Sequence, residues 1–262
     1  MAEEGAVGHD GPEPGPRRRD PARMFLRAVL AACATVLLVV LLPGVLPGLL
    51  PATMRVRLGM AGPQADSRGT YAFLAHQPGE PQVPVAYPSC RPIRVQIDPT
   101  GGPADAVALV QQAMARISAA TGLQLEYAGL STARPQWRSS STPDLGGSTT
   151  PVLVSWATPA EVPQLAGSVA GIGGSVWVDE GTGMRHYVTG GVTLDTGAFA
   201  ELADRPDAQA EEEAIVLHEF GHLVGLAHVD DAAELMYRRN IGRTDFGPGD
   251  LAGLALLGQG GC

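Results

Sequence analysis

The segment His218-Glu219-Phe220-Gly221-His222-Leu223-Val224-Gly225-Leu226-Ala227-His228 gathers three of the chain's six histidines into eleven residues, and no other stretch restricts the fold so tightly. It sits in an apolar run, residues 214–226, that follows Arg205-Pro206 and the acids Asp207, Glu211, Glu212 and Glu213. A proline suited to a first turn and acids at the positive end of the dipole predict a helix, with the acids as its solvated start. On a helix, positions i and i+4 share a face, so His218 and His222 can offer two imidazole nitrogens to one tetrahedral Zn²⁺. Glu219, one position round, addresses a metal-bound water instead of the ion. Gly225 permits the left-handed conformation that ends a helix and turns the chain back, which brings His228 round as third ligand.

Three neutral histidines and an open fourth position describe a catalytic site, since structural zinc sites are closed by four protein ligands rich in Cys. No Cys lies nearby. The chemistry such a set supports is hydrolysis without a covalent intermediate: zinc acidifies a water and polarises a carbonyl, and Glu219 carries the proton to the leaving amine.

HExxHxxGxxH is the signature of the metzincin zinc peptidases, and Leu235-Met236-Tyr237, with Met236 eight residues after His228, resembles their Met-turn. The gap to the methionine favours the matrixin branch. The resemblance extends over about residues 90–257. It implies an α+β, metzincin-like zincin fold: a twisted mixed sheet, a long N-terminal helix, the zinc-binding active-site helix, the Met-turn and a short C-terminal helix opened by Gly247-Pro248-Gly249-Asp250-Leu251. It further implies one catalytic zinc on His218, His222 and His228, Glu219 as general base, Met236 as an apolar floor, and a protein or peptide substrate. Residues 171–178 read either as an edge strand that pairs with an extended substrate or as an ordinary internal strand. Val229 and Arg238 stand where matrixins usually carry Ser and Pro, so specificity is expected in residues 237–246, and Arg238 and Arg239 point to acidic side chains beyond the scissile bond. Cys90 lacks the flanking pattern of a cysteine switch, no His/Asp loop for a second zinc is visible, and calcium is left unassigned. The chain is closest to a pared-down bacterial matrixin.

Elsewhere, alternation in Ile93-Arg94-Val95-Gln96-Ile97-Asp98 predicts a half-buried strand. Helical spacing of Ala106, Val107, Val110, Met114 and Ile117, opened by Pro103 and closed by Gly122, predicts the first helix. Strands are expected at residues 123–127, 152–156, 174–178 and 188–195, and a last helix at residues 248–257. Asp230 and Asp231 read as turn residues, Tyr237 as a packed aromatic or an oxyanion donor, and His9, His76 and His186 as ordinary histidines.

Charge and hydropathy divide the chain. Residues 1–50 balance five Arg against five acids, so the remaining 13 Arg and 22 acids carry the whole net charge of −9. That acidity excludes a nucleic-acid partner, which needs a basic face. Residues 28–50 hold no charge and are long enough to span a bilayer, with Arg17, Arg18, Arg19, Arg23 and Arg27 before them. The expected organisation is a disordered cytoplasmic tail at 1–23, a transmembrane signal anchor at 24–50, a linker at 51–69 and an extracytoplasmic, monomeric peptidase domain at 70–262 with its core at 90–257. Signal cleavage and secretion is the alternative. Cys90 and Cys262 bracket the domain and are expected to form a disulfide, while Cys33 falls in the apolar segment. The competing functional reading is a catalytically weak, zinc-stabilised cell-surface binding module.

Overall fold

The computed structural model describes residues 69–139, 142–144, 150–179, 181, 183–239 and 241–262. The expected tail, anchor and linker lie outside the described residues, except for Gly69. No helix among the described residues is long and apolar enough to cross a membrane. The expectation of a single-pass anchor with an extracytoplasmic domain is corrected on that finding.

A short hairpin of β1 (His76–Gln77) and β2 (Glu80–Pro84) precedes the main sheet. That sheet contains β3 (Ile93–Asp98), β4 (Leu125–Leu130), β7 (Val152–Ala157), β8 (Gly171–Asp179) and β9 (Arg185–Asp195) in the order β4-β3-β7-β9-β8. β3 is parallel to β4 and β7, β7 is parallel to β9, and β8 returns antiparallel on β9, giving a mixed sheet. β5 (Trp137–Ser139) and β6 (Thr142–Pro143) form a second small hairpin. β8 lies at the sheet's edge, one of the two readings its sequence allowed.

Residue type explains the pattern. β3 buries Ile93, Val95 and Ile97 and exposes Arg94, as a strand with unlike faces must. β7 and β9 lie inside the sheet and bury residues on both faces, so they lack that alternation. Helix α1 (Ala106–Thr121) turns Leu109, Val110, Ala113, Met114 and Ile117 inward and ends at Gly122, whose φ of 73° is left-handed. A short helix α2 (Thr196–Leu202), not foreseen, begins where Asp195 accepts the Ala198 N–H at 2.7 Å. The long helix α3 (Ala208–Val224) packs on β8, β9 and α1, and α4 (Pro248–Leu257) packs on α1 and α3. One apolar core, from Val85 to Leu257, runs between these helices and the sheet.

Two expectations change here. The acids at the start of α3 are not a solvated face: Glu211 and Glu212 are buried, Glu211 is held by Arg205 at 2.6 Å, and Glu213 by Arg116 at 2.7 Å. Arg205 lies only six residues before Glu211, but Arg116 reaches Glu213 from 97 residues away, which a local reading cannot supply. The core also starts before residue 90. Leu74 donates to Gly225 O at 2.9 Å, Ala227 to Ala72 O at 2.8 Å and Tyr187 to Ala86 O at 3.0 Å, while Val85, Ala86 and Tyr87 are buried. The Pro-rich lead-in is thus a strap along the turn that follows α3.

Cys90 and Cys262 form the expected disulfide, with Cα atoms 5.9 Å apart, beside a Ser89 N–H to Gly260 O bond of 3.2 Å. Across a separation of 172 residues, chain entropy alone makes such a link worth about 5 kcal/mol. Replacing both cysteines by Ser should lower unfolding stability by roughly that amount in urea titration; a loss below about 1 kcal/mol would show that the C-terminal strap is held by its packing.

A candidate metal centre in an open cleft

Helix α3 presents His218 and His222 one turn apart, and Gly225 ends it with φ 122°, donating to Gly221 O and His222 O at 3.1 Å. The chain then doubles back, Leu226 N–H reaching Gly221 O at 2.8 Å, and returns His228 to the helix face. Nε2 of His228 lies 3.0 Å from Nε2 of His218 and 3.1 Å from Nε2 of His222.

Second partners fix the tautomers. Nδ1 of His218 lies 2.8 Å from Leu235 O, and Nδ1 of His222 lies 2.8 Å from Leu226 O. A carbonyl only accepts, so both Nδ1 atoms donate. Burial lowers the pKa of His218 to about 4 and that of His222 to about 3, so each ring is neutral and its Nε2 is bare. His228 is shifted the same way, by burial and then by the charge of Arg238. A proton on His228 Nε2 would serve both acceptors only as a divided, three-centre bond. A tetrahedral ion with metal–nitrogen bonds near 2.0–2.1 Å sets its ligands about 3.3 Å apart, close to the spacing seen. The three histidines therefore fit a metal ion, and they are the group of potential ligands of this kind found among the described residues.

Glu219 lines the same cleft as His218 and His228. Its carboxyl is buried, Oε2 has no hydrogen-bond partner among the described residues, and burial raises its pKa from 4.5 to about 8. Strand β8 lies close enough to cause this: a Cβ at Gly171 would meet Glu219 Cγ at 2.7 Å, and one at Gly173 would strike the Glu219 backbone. Ser175 completes the contact, its hydroxyl donating to Leu223 O at 2.6 Å and lying 2.6 Å from the Tyr87 hydroxyl. Sequence reading took Gly171 and Gly173 as strand residues without drawing from them the close approach of a helix that in-strand glycines signal.

Met236 is fully buried, and a Cβ on Gly221 would meet its Sδ at 2.6 Å, so the glycine between the two helical histidines is what admits the methionine. The turn around Met236 is clasped by two buried acids that sequence reading missed. Asp250 accepts N–H groups from Leu235, from Met236 at 3.3 Å and from Gly247 at 2.9 Å, while Glu234 accepts those of Gly249 and Asp250 at 2.9 Å each. Val229 N–H donates to Met236 O at 3.0 Å, so the residue that departs from the matrixin pattern still pairs through its backbone. The clasp sets the Leu235 carbonyl that orients His218. Asp231 caps a turn through Ala233 N–H at 2.9 Å, and Asp230 pairs with Arg238 at 2.7 Å.

An open cleft of about 260 Å³ faces the histidines, lined by His218, Glu219, His228, Gly171, Tyr237 and three arginines among others. His76 packs on Phe73 and His186 lies in β9, both outside this cleft.

No family model and no curated protein matches this chain. Among solved structures, one described as the GM1-bound form of the ECX AB5 holotoxin matches at 13% identity over 65% of this chain and 81% of that one, with a TM-score of 0.36, too low to carry an argument.

The buried Glu219 yields a signed prediction for the metal-free chain. Its folded pKa of about 8 exceeds the ordinary 4.5, so the fold keeps a proton that the unfolded chain releases, and stability is lost as pH rises between those values. Glu219→Gln should leave urea stability unchanged near pH 4.5 and raise it by up to about 5 kcal/mol above pH 8. An equal effect at both pH values would contradict the burial of this carboxyl.

Proposed function

We propose that this chain is a zinc metalloendopeptidase of matrixin-like type, with His218, His222 and His228 holding one zinc ion and Glu219 as general base. The observation that carries the reading is the pairing of a buried carboxyl that lacks a partner with three converging imidazole Nε2 atoms, those of His218 and His222 unprotonated, at an open cleft. A purely structural site has no use for the carboxyl. Zinc held there supplies a Lewis acid that acidifies water and polarises a carbonyl.

The protein's own residues do the rest. Glu219 takes a proton from the attacking water at Oε2 and passes it to the leaving nitrogen; its raised pKa, before any cation is added, suits a group that must both accept and return a proton near neutrality. The Leu235 and Leu226 carbonyls hold the two helical imidazoles by their Nδ1–H groups, which keeps Nε2 available and fixes ring orientation. Met236, against Gly221, gives the helix an apolar support. Gly171, at the start of edge strand β8, lines the cleft beside Glu219, so a substrate in extended conformation can add to that edge with its scissile bond near the carboxyl. The fold supports the same reading: a mixed five-stranded sheet with one antiparallel edge strand under the histidine-bearing helix, and a methionine turn beneath it.

The decisive comparison is wild type against Glu219→Ala on a broad peptide library, with zinc measured in both. Both should hold one zinc per chain; wild type should cleave in a chelator-sensitive way, and the variant should lose about 10²–10⁴-fold in rate. Equal zinc content with no cleavage by either protein would replace the peptidase with the zinc-stabilised binding module.

A further inference from the structure

The cleft has a charge opposite to that of its domain. Residues after 50 hold 22 acids against 13 Arg, yet Arg238, Arg239 and Arg243 all line this one cleft. Most other described arginines are engaged by carboxylates: Arg116 by Glu213 and Asp245, Arg134 by Asp98 and Glu161, Arg138 by Asp144, Arg205 by Asp207 and Glu211. Within the cleft, Arg238 is held by Asp230 at 2.7 Å.

Two arginines have a buried Nε with no hydrogen-bond partner among the described residues: Arg185, which stacks on Trp177 at 4.1 Å and does not line the cleft, and Arg243, which does line it. Arg243 has no such ring among the described residues. The acids that could serve it are committed elsewhere: Asp245, two residues on, pairs with Arg116, and Glu234, which also lines the cleft, accepts from Gly249 and Asp250. The segment itself is anchored on the far side of Arg243, where the Arg116 guanidinium lies 5.9 Å from the Phe246 ring. A buried donor left without an acceptor costs about 1–3 kcal/mol, and the acceptor that best matches a guanidinium fork is a carboxylate.

We infer that Arg243 is the specificity-determining residue of this cleft, holding a carboxylate of the bound peptide. The inference rests on the peptidase reading of the same site and names its substrate class: peptides with an acidic side chain, or a chain-terminal carboxylate, entering beside His218 and Glu219. It moves the selection expected of Arg238 and Arg239 to Arg243, because Arg238 already has Asp230 and Arg239 is exposed.

Three peptides of one sequence test it by calorimetric titration: one with Glu and an amidated C-terminus, one with Gln and an amidated C-terminus, and one with Gln and a free C-terminus. The protein is the full chain carrying Glu219→Ala, so that nothing is cut, with zinc and again after chelation. At least one carboxylate-bearing peptide should bind about tenfold tighter than the neutral one, with or without metal, and which one does so separates the two sources. Arg243→Gln should abolish the preference and Arg243→Lys should weaken it, whereas Arg91→Gln, outside the cleft, should leave it intact. Equal affinities for the three peptides, no binding by any, or a preference that survives Arg243→Gln would overturn the inference. Failure of the peptidase reading shows separately, as absence of cleavage by the zinc-loaded wild type.

Discussion

Two bare imidazole nitrogens, on His218 and His222, each lie about 3 Å from Nε2 of His228, and much of the surrounding structure works to hold the three together. His218 owes its tautomer to the Leu235 carbonyl, and that carbonyl stands where it does because Asp250 gathers the N–H groups of Leu235, Met236 and Gly247. Asp250 is placed in turn by Glu234, which receives the first N–H groups of α4. His222 depends on the reversal at Gly225, which the N-terminal strap borders through Leu74 and Ala227. A position in the histidine set is thus fixed by backbone groups from four separate parts of the chain.

The same compression accounts for Glu219. Glycines on β8 let α3 approach until the carboxyl is buried at the edge of the cleft, which raises its pKa and leaves Oε2 without a partner among the described residues. A fold that needed metal only for cohesion would gain stability by placing an apolar residue there. The strap bonds to the turn beside the histidines through Leu74 and Ala227, and the disulfide ties Cys90 to Cys262.

The candidate site was legible because its residues are local: His218, Glu219 and His222 follow from helical period, and His228 from one glycine. α1 and β3 were likewise readable from their periods and β7 as a short apolar run, and α4 matches its expected residues 248–257. What was not readable depends on pairing at a distance. Glu234 and Asp250 look like surface acids until the turn and the helix start are brought together, and Glu213 looks solvated until Arg116 arrives from the first helix. Asp195 was taken for the end of a strand, though it also caps α2. Charge along the chain pointed to Arg238 and Arg239, and the pairing of Arg238 with Asp230 emerges only in the structure. The membrane reading came from hydropathy in residues 28–50, which lie outside the described residues, and no described helix provides a span.

The central claim is that three histidines leave a metal's fourth position open. X-ray absorption at the zinc edge, recorded on the zinc-loaded full chain, tests it directly. The account predicts four light-atom ligands at about 2.0–2.1 Å, with the outer-shell scattering of three imidazoles and no sulfur. A fourth imidazole, or sulfur scattering near 2.3 Å, would mean a closed structural site and would contradict it.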